Sequence, residues 1–213
     1  MSTNQYRYQF YYRRNLPHIQ PKGALFFITY RLAFSLPKSI QEILINQRKQ
    51  FDNKLEALSQ HKKNEFKEKC NKVLFNLEDE FLDSYHEGPQ WLSNDVVAKM
   101  VIDNYLYNNG NKYSLKCCLI MSNHVHTILK PVFKNKEEVY SLAEIMHTHK
   151  SYTANEANKI LGRRGQFWQH ESYDHYVRDL DEYNRILAYI LNNPVRAGLV
   201  KDYHDWPYYW IEQ

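Results

Sequence analysis

From residue 39 to residue 85 the chain has neither glycine nor proline, and its apolar residues keep a helical beat. Leu44, Phe51, Leu55, Leu58, Phe66, Cys70, Leu74, Leu77 and Phe81 recur mostly three, four or seven positions apart. That period belongs to a helix with one buried stripe, and dense Lys and Glu supply the solvent side. The stretch predicts one long helix or a helical pair, with the polar run at 60–64 as the turn. It reads as a charged elaboration on a domain whose working part lies elsewhere.

With only 6 Gly and 7 Pro in 213 residues, each helix stop can be read individually. Residues 24–32 are apolar, aromatic and β-branched, which predicts a central strand. Gly88-Pro89 ends the charged segment, Ser93 caps a helix to about Tyr107, and Asn108-Asn109-Gly110-Asn111 closes it. Residues 113–121 and 124–130 predict two paired strands about a turn at Ser122-Asn123. Ser141 starts a helix that runs through Leu161 and stops at Gly162 and Gly165. Phe167-Trp168-Gln169 and residues 173–178 read as extended, and 181–193 as a helix stopped by Pro194. This order predicts an α+β fold, an antiparallel sheet covered by helices.

Composition narrows the setting. No apolar run approaches the roughly 20 residues that cross a bilayer, and residues 1–6 lack a signal-peptide core, so a soluble cytoplasmic protein with no membrane partner is expected. Cys70, Cys117 and Cys118 are odd in number and in no metal spacing, which reads as reduced and structural. Net charge is only +4, but residues 1–41 carry six Lys or Arg and no acid, interleaved with Tyr6, Tyr8, Tyr11 and Tyr12. Such a segment suits phosphate contact and base stacking, or equally a solvated arm.

Two small patterns carry chemistry. In a strand, His124 and His126 share a face while Val125 points into the core, so two imidazoles can meet one ion. His147-Thr148-His149 has the same spacing on a helix, where the two side chains diverge by about 200°, and is expected to be surface or groove. Tyr189 and Asn193, four apart on a helix, share a face, so the Asn193 amide oxygen can reach a metal beside the Tyr189 hydroxyl. Packed, hydrogen-bonded histidines and a core tyrosine remain the plainer alternative, since the chain has 18 tyrosines.

Met121-Ser122-Asn123-His124-Val125-His126-Thr127-Ile128-Leu129 resembles the His-hydrophobic-His (HUH) motif of single-tyrosine transposases. Lys150-Ser151-Tyr152-Thr153-Ala154, the run from Leu161 to Gln169, Tyr173-Asp174-His175, Val177-Arg178-Asp179, the run from Tyr189 to Val200 and Asp205-Trp206-Pro207-Tyr208 resemble the REP-associated tyrosine transposases. They fall in family order from about Ala24 to Pro207, apart from residues 39–85. Departures are that long helical insertion and the apolar Tyr208-Tyr209-Trp210-Ile211.

The resemblance implies one HUH transposase domain over 1–213 with an insertion at about 39–85, on a ferredoxin-like or RRM-like sheet. It implies Tyr189 as nucleophile and His124, His126 and Asn193 as metal ligands. The nitrogen and oxygen donors favour Mg²⁺ or Mn²⁺. The expected activity is cleavage and rejoining of single-stranded DNA hairpins through a 5′-phosphotyrosine, by a monomer or homodimer. Arg13, Arg14, Lys150, Arg163, Arg164, Arg178 and Arg196 are candidate phosphate contacts, and Trp168 a candidate stacking surface. A non-catalytic nucleic-acid-binding module of the same fold is the alternative.

Overall fold

In the computed structural model the backbone is described over residues 8–13, 17–85 and 87–213, and side chains from 21 onward except at 60, 64 and 86. Two compact units result, one from the chain up to Ala33 with Gln90–Gln213, the other from Phe34–Pro89.

In the first unit β1 (Tyr8–Arg13) and β2 (Pro17–Pro21) pair antiparallel as a two-stranded sheet of their own. The central strand follows as β3 (Leu25–Arg31), its buried run matching the apolar sequence. In the second unit, α1 (Lys38–Glu56) and α2 (Gln60–Ser84) pack on one another, with the Phe51 and Phe66 rings edge to face. The turn between them lies at residues 57–59, ahead of the polar run expected to form it. Ser59 takes the extended N-cap conformation of α2, and the polar residues become the helix's solvated first turn. Gly88 closes the unit where a Cβ would fall 3.0 Å from the Ser35 carbonyl oxygen, a space only glycine leaves open.

Back in the first unit, a turn of 3₁₀ helix at Trp91–Ser93 leads to α3 (Asp95–Asn108). Its cap is Asn94, not Ser93: the Asn94 amide oxygen accepts from Val96 N and Val97 N. Then come β4 (Tyr113–Ile120), β5 (His124–Pro131), α4 (Leu142–Ile160), β6 (Tyr173–Val177), α5 (Leu180–Leu191), α6 (Asn193–Arg196) and β7 (Tyr209–Ile211). A Ser141–Glu144 capping box opens α4 where the sequence places its start.

The strands order as β6-β3-β5-β4-β7, each pair antiparallel. With α3 joining β3 to β4 and α4 joining β5 to β6, this is the split β-α-β arrangement of a ferredoxin-like fold, with β7 added at one edge. The expected α+β class and antiparallel sheet are therefore observed.

Strand alternation decides what each face does. Phe26, Ile28 and Tyr30 of β3, Val125 and Leu129 of β5, and Cys118 and Ile120 of β4 are buried with Val97, Ala98, Val101 and Tyr105 of α3 and Leu142, Ile145, Met146 and Ala157 of α4. That face is the core. The register pairs Thr29 with His126 and Arg31 with His124, which places both histidines on the opposite face, where α5 meets β4, β5 and β6.

Three sequence expectations change here. His149 is no surface residue: it is 2% exposed, its imidazole bonded to Tyr30 Oη at 2.7 Å and Asn104 Oδ1 at 2.7 Å. Trp168 is no stacking surface for bases, since it is 5% exposed, donates from Nε1 to Thr153 Oγ1 and packs on Tyr30. The helix bearing Tyr189 ends at Leu191, and Asn193 begins a separate helical turn. Pro194 has no N–H to donate to Ile190, so the ladder breaks there.

Among the described residues no helix is long and apolar enough to cross a membrane. The three cysteines are free and buried, and burial pushes the Cys117 thiol up to about 12, which suits packing. The terminal Asp205-Trp206-Pro207-Tyr208 motif holds the sheet edge. Trp206 Nε1 donates to the Ile120 carbonyl, Ile120 N to the Tyr208 carbonyl, and Tyr208 Oη to Asp95.

Candidate functional site

β5 carries the site because its alternation sends Val125 into the core and both flanking imidazoles to the α5 side. His124 and His126 are each 0% exposed, with their Nε2 atoms 3.0 Å apart. Each Nδ1 has its own partner: Asn123 Oδ1 at 2.6 Å for His124, Thr29 Oγ1 at 2.7 Å for His126. An Nδ1–H donated to such an oxygen leaves the Nε2 lone pair outward, the arrangement by which proteins orient metal-binding histidines. Burial, with the nearby Arg196 charge adding to it, pushes His126 down to about 3, so it is neutral at ordinary pH.

Asn193 completes the convergence despite the helix break. It is 0% exposed, and its side-chain amide nitrogen lies 3.1 Å from His126 Nε2. Turning the amide over exchanges that nitrogen for Oδ1 at the same place, a change that the hydrogen-bond environment decides.

The donor set fits a divalent ion. Two ligands at right angles, each about 2.1 Å from an octahedral cation, stand about 3.0 Å apart, which is the spacing of the two Nε2 atoms. Imidazole and amide ligands bring no negative charge of their own to such an ion. Thr29 and Asn123 are the partners that sequence reasoning missed. Asn123 was visible beside the motif, but Thr29 reaches it only through strand register.

Thr29→Val keeps the shape of the side chain and removes the hydroxyl. We expect Mn²⁺ affinity to fall by roughly 10- to 100-fold, read by titration calorimetry, as when other outer partners of ligating histidines are lost. Unchanged affinity would exclude His126 as a ligand oriented by Thr29.

Tyr189 sits beside the imidazole pair on the last full turn of α5, its ring centroid 5.8 Å from that of His126 and 6.2 Å from that of Phe27. It is half-buried. α5 is set by Asp179, which caps it, and by Glu182, which accepts from Arg178 N and bonds His175 of β6 at 3.0 Å. Those bonds hold the Glu182 carboxyl below its usual range, although burial alone would raise it.

The remaining candidates divide by exposure. Arg196 is exposed, with its guanidinium carbon 5.1 Å from the Tyr189 ring centroid. Arg164 and Arg178 are exposed as well, Arg164 lying between Gly162 and Gly165, both of positive φ. Arg163 is engaged within the fold: it stacks 3.5 Å over Trp91 and donates to Asn158 Oδ1 and the Gln166 carbonyl. Lys150 Nζ donates to the Gln169, His170 and Glu171 carbonyls and so ties that segment to α4. Arg13 contributes backbone to β1, its side chain lying outside the described residues together with Arg14.

The fold and this convergence define a ferredoxin-like α+β protein with a buried two-histidine centre on the sheet face opposite its main core. No protein-family model matches the sequence, and no curated protein matches it. Among solved structures the chain is similar to a REP-associated tyrosine transposase bound to a REP hairpin, with a TM-score of 0.51. Identity is 15%, over 98% of this chain and 82% of that one, so the likeness is one of fold.

Proposed function

We propose that the chain is a metal-dependent single-stranded DNA endonuclease and strand transferase of the single-tyrosine HUH type, acting on hairpin DNA. The observation that carries this reading is the meeting of His124, His126 and Asn193 beside Tyr189, from elements distant in sequence. The fold likeness to a hairpin-bound transposase and the ordered motif resemblance support it from independent directions.

His124, His126 and Asn193 would hold Mg²⁺ or Mn²⁺. When bound, the ion supplies Lewis-acid neutralisation of the scissile phosphate. Tyr189 Oη attacks phosphorus, a P–O bond to tyrosine forms and the P–O3′ bond breaks. The phenol proton ends on the departing 3′ oxygen, leaving a 5′-phosphotyrosine and a free 3′ hydroxyl. Because one phosphate ester replaces another, a second 3′ hydroxyl reverses the step and joins strands without ATP. α5 holds the phenol in position, and that pre-alignment offsets the weak nucleophilicity of a group whose ordinary pKa is about 10.

The test is a denaturing gel of protein mixed with labelled single-stranded hairpins taken from the DNA flanking its own gene. With Mn²⁺ we expect a covalent protein–DNA band, and with EDTA none. Tight hairpin binding and confirmed metal occupancy without any band would discard the nuclease reading for that of a binding module.

A further inference from the structure

Arg196 follows Asn193 by three positions on α6, so the two side chains leave neighbouring sides of that turn. The turn is well held: Arg196 N donates to the Asn192 carbonyl, Ala197 N to the Asn193 carbonyl, and Gly198 ends it at φ 69°. The guanidinium carbon is 5.1 Å from the Tyr189 ring centroid. This contact, and the place of Arg196 three residues after Asn193 on the same turn, put the cation beside Tyr189 and near the residue that meets His126. The side chain itself is exposed, so a polyanion arriving from solvent can meet it.

Resting on the nuclease reading, we infer that Arg196 is a catalytic residue that takes a non-bridging oxygen of the scissile phosphate and holds the phosphorus in line with Tyr189. The chemistry favours arginine here. Attack by the phenol adds negative charge to the phosphoryl oxygens, which Asn193, an uncharged amide, does not balance. A planar guanidinium keeps its charge at any working pH and offers two parallel N–H donors to a phosphate. In the reverse step the same contact holds the phosphotyrosine while a 3′ hydroxyl approaches. Were Arg196 only a brace for the aromatic ring, its contribution would be indifferent to the charge of one phosphate.

The test uses the full chain and the hairpin that forms the adduct. Arg196→Gln should slow adduct formation in Mn²⁺ on the order of 100-fold, as removal of one transition-state donor does elsewhere. Arg196→Lys should recover part of the rate. Melting temperatures of both should stay within about 4 °C of the unaltered protein, as at other exposed positions. Hairpin affinity is then measured in EDTA in a Tyr189→Phe background, with the scissile phosphate either native or replaced by a neutral methylphosphonate. We expect the replacement to weaken binding about 10-fold when Arg196 is present and to have no effect with Arg196→Gln. An equal penalty in both proteins, or an unaltered adduct rate in Arg196→Gln, overturns the inference and leaves the nuclease reading standing. No adduct from the unaltered protein with Mn²⁺ overturns both.

Discussion

Tyr189→Phe should abolish the covalent protein–DNA adduct while hairpin binding and thermal stability remain close to those of the unaltered chain. The separation follows from which atoms the fold uses. Phe27 meets the Tyr189 ring edge to face, His126 lies 5.8 Å from it and Arg196 5.1 Å from it, and each of these relations is to the ring. Phenylalanine retains them all, and the side chain is only half-buried. A stability change of at most about 1 kcal/mol, the scale of a single side-chain hydrogen bond, is therefore expected. The hydroxyl is the one atom the proposed chemistry requires. Adduct yield on a denaturing gel should drop below detection at every time point. Hairpin affinity by fluorescence anisotropy in EDTA should stay within about twofold, since the candidate phosphate contacts are other residues. A persisting adduct would move the nucleophile elsewhere. Tyr173, whose ring packs on the same Phe27 at 6.0 Å, is the first residue to map by peptide sequencing.

How much of this was legible beforehand depended on whether the deciding contacts were local. The two faces of β5 follow from period-two alternation, and the His124–His126 pair could be assigned to a shared face from three residues. The charged helices are readable from spacing alone, but their turn is not, because a polar run marks a solvated helix start as readily as a loop. His149 shows a different failure. It continues the stripe Leu142, Ile145, Met146, then Thr153 and Ala157, all buried on α4. Period argues for burial of His149, whereas the 200° divergence of the pair excludes only a shared ion and leaves open which of the two faces solvent. What relieves the burial is Tyr30, more than a hundred positions away in sequence. Trp168 joins the core through the bridge between its backbone and Leu32, which is equally non-local. The break between α5 and α6 has a visible cause in Pro194. Yet Asn193 still reaches His126, because a proline can sit in the first turn of a new helix and Asn192 between the two helices keeps a right-handed helical conformation. Thr29, the outer partner of His126, needs the register of β3 against β5, and single-sequence patterning does not determine register between distant strands.

Acidification from pH 7 to pH 5 should lower the melting temperature of the metal-free protein by roughly 8–16 °C, before most carboxylates begin to protonate. Burial pushes both His126 and His149 down to about 3 from an ordinary 6.5. Between those limits the unfolded chain binds protons that the folded one refuses, so stability is fully present above about 6.5 and falls as pH falls. At pH 5 each histidine costs about 2 kcal/mol, or about 4 kcal/mol together, a large part of an ordinary domain's 5–15 kcal/mol. Neither group has an easy escape. His149 is bonded to Tyr30 and Asn104 inside the core, and protonation would require a charge there with Lys150 next in sequence opposing it. His126 sits against His124, Asn193 and Thr29 with the Arg196 charge nearby. Carboxylates contribute little in this window. Glu144, held by Lys134 and Ser141 at about 2, stays ionised in the folded state, and its loss begins only as pH falls through about 4.5. Melting curves in EDTA at closely spaced pH values would give the slope, and the net proton uptake on unfolding should approach two near pH 5. His149→Gln lowers stability at pH 7 by removing packing and a hydrogen bond, but it should halve the slope. A flat melting temperature between pH 7 and 5 would show that one or both imidazoles find solvent or a counter-charge on protonation. An unchanged slope in His149→Gln would place the titrating groups elsewhere. The same linkage bears on the proposed metal: an imidazole that resists protonation keeps its lone pair for a cation to well below pH 6, so metal binding should survive acidification until the fold itself fails.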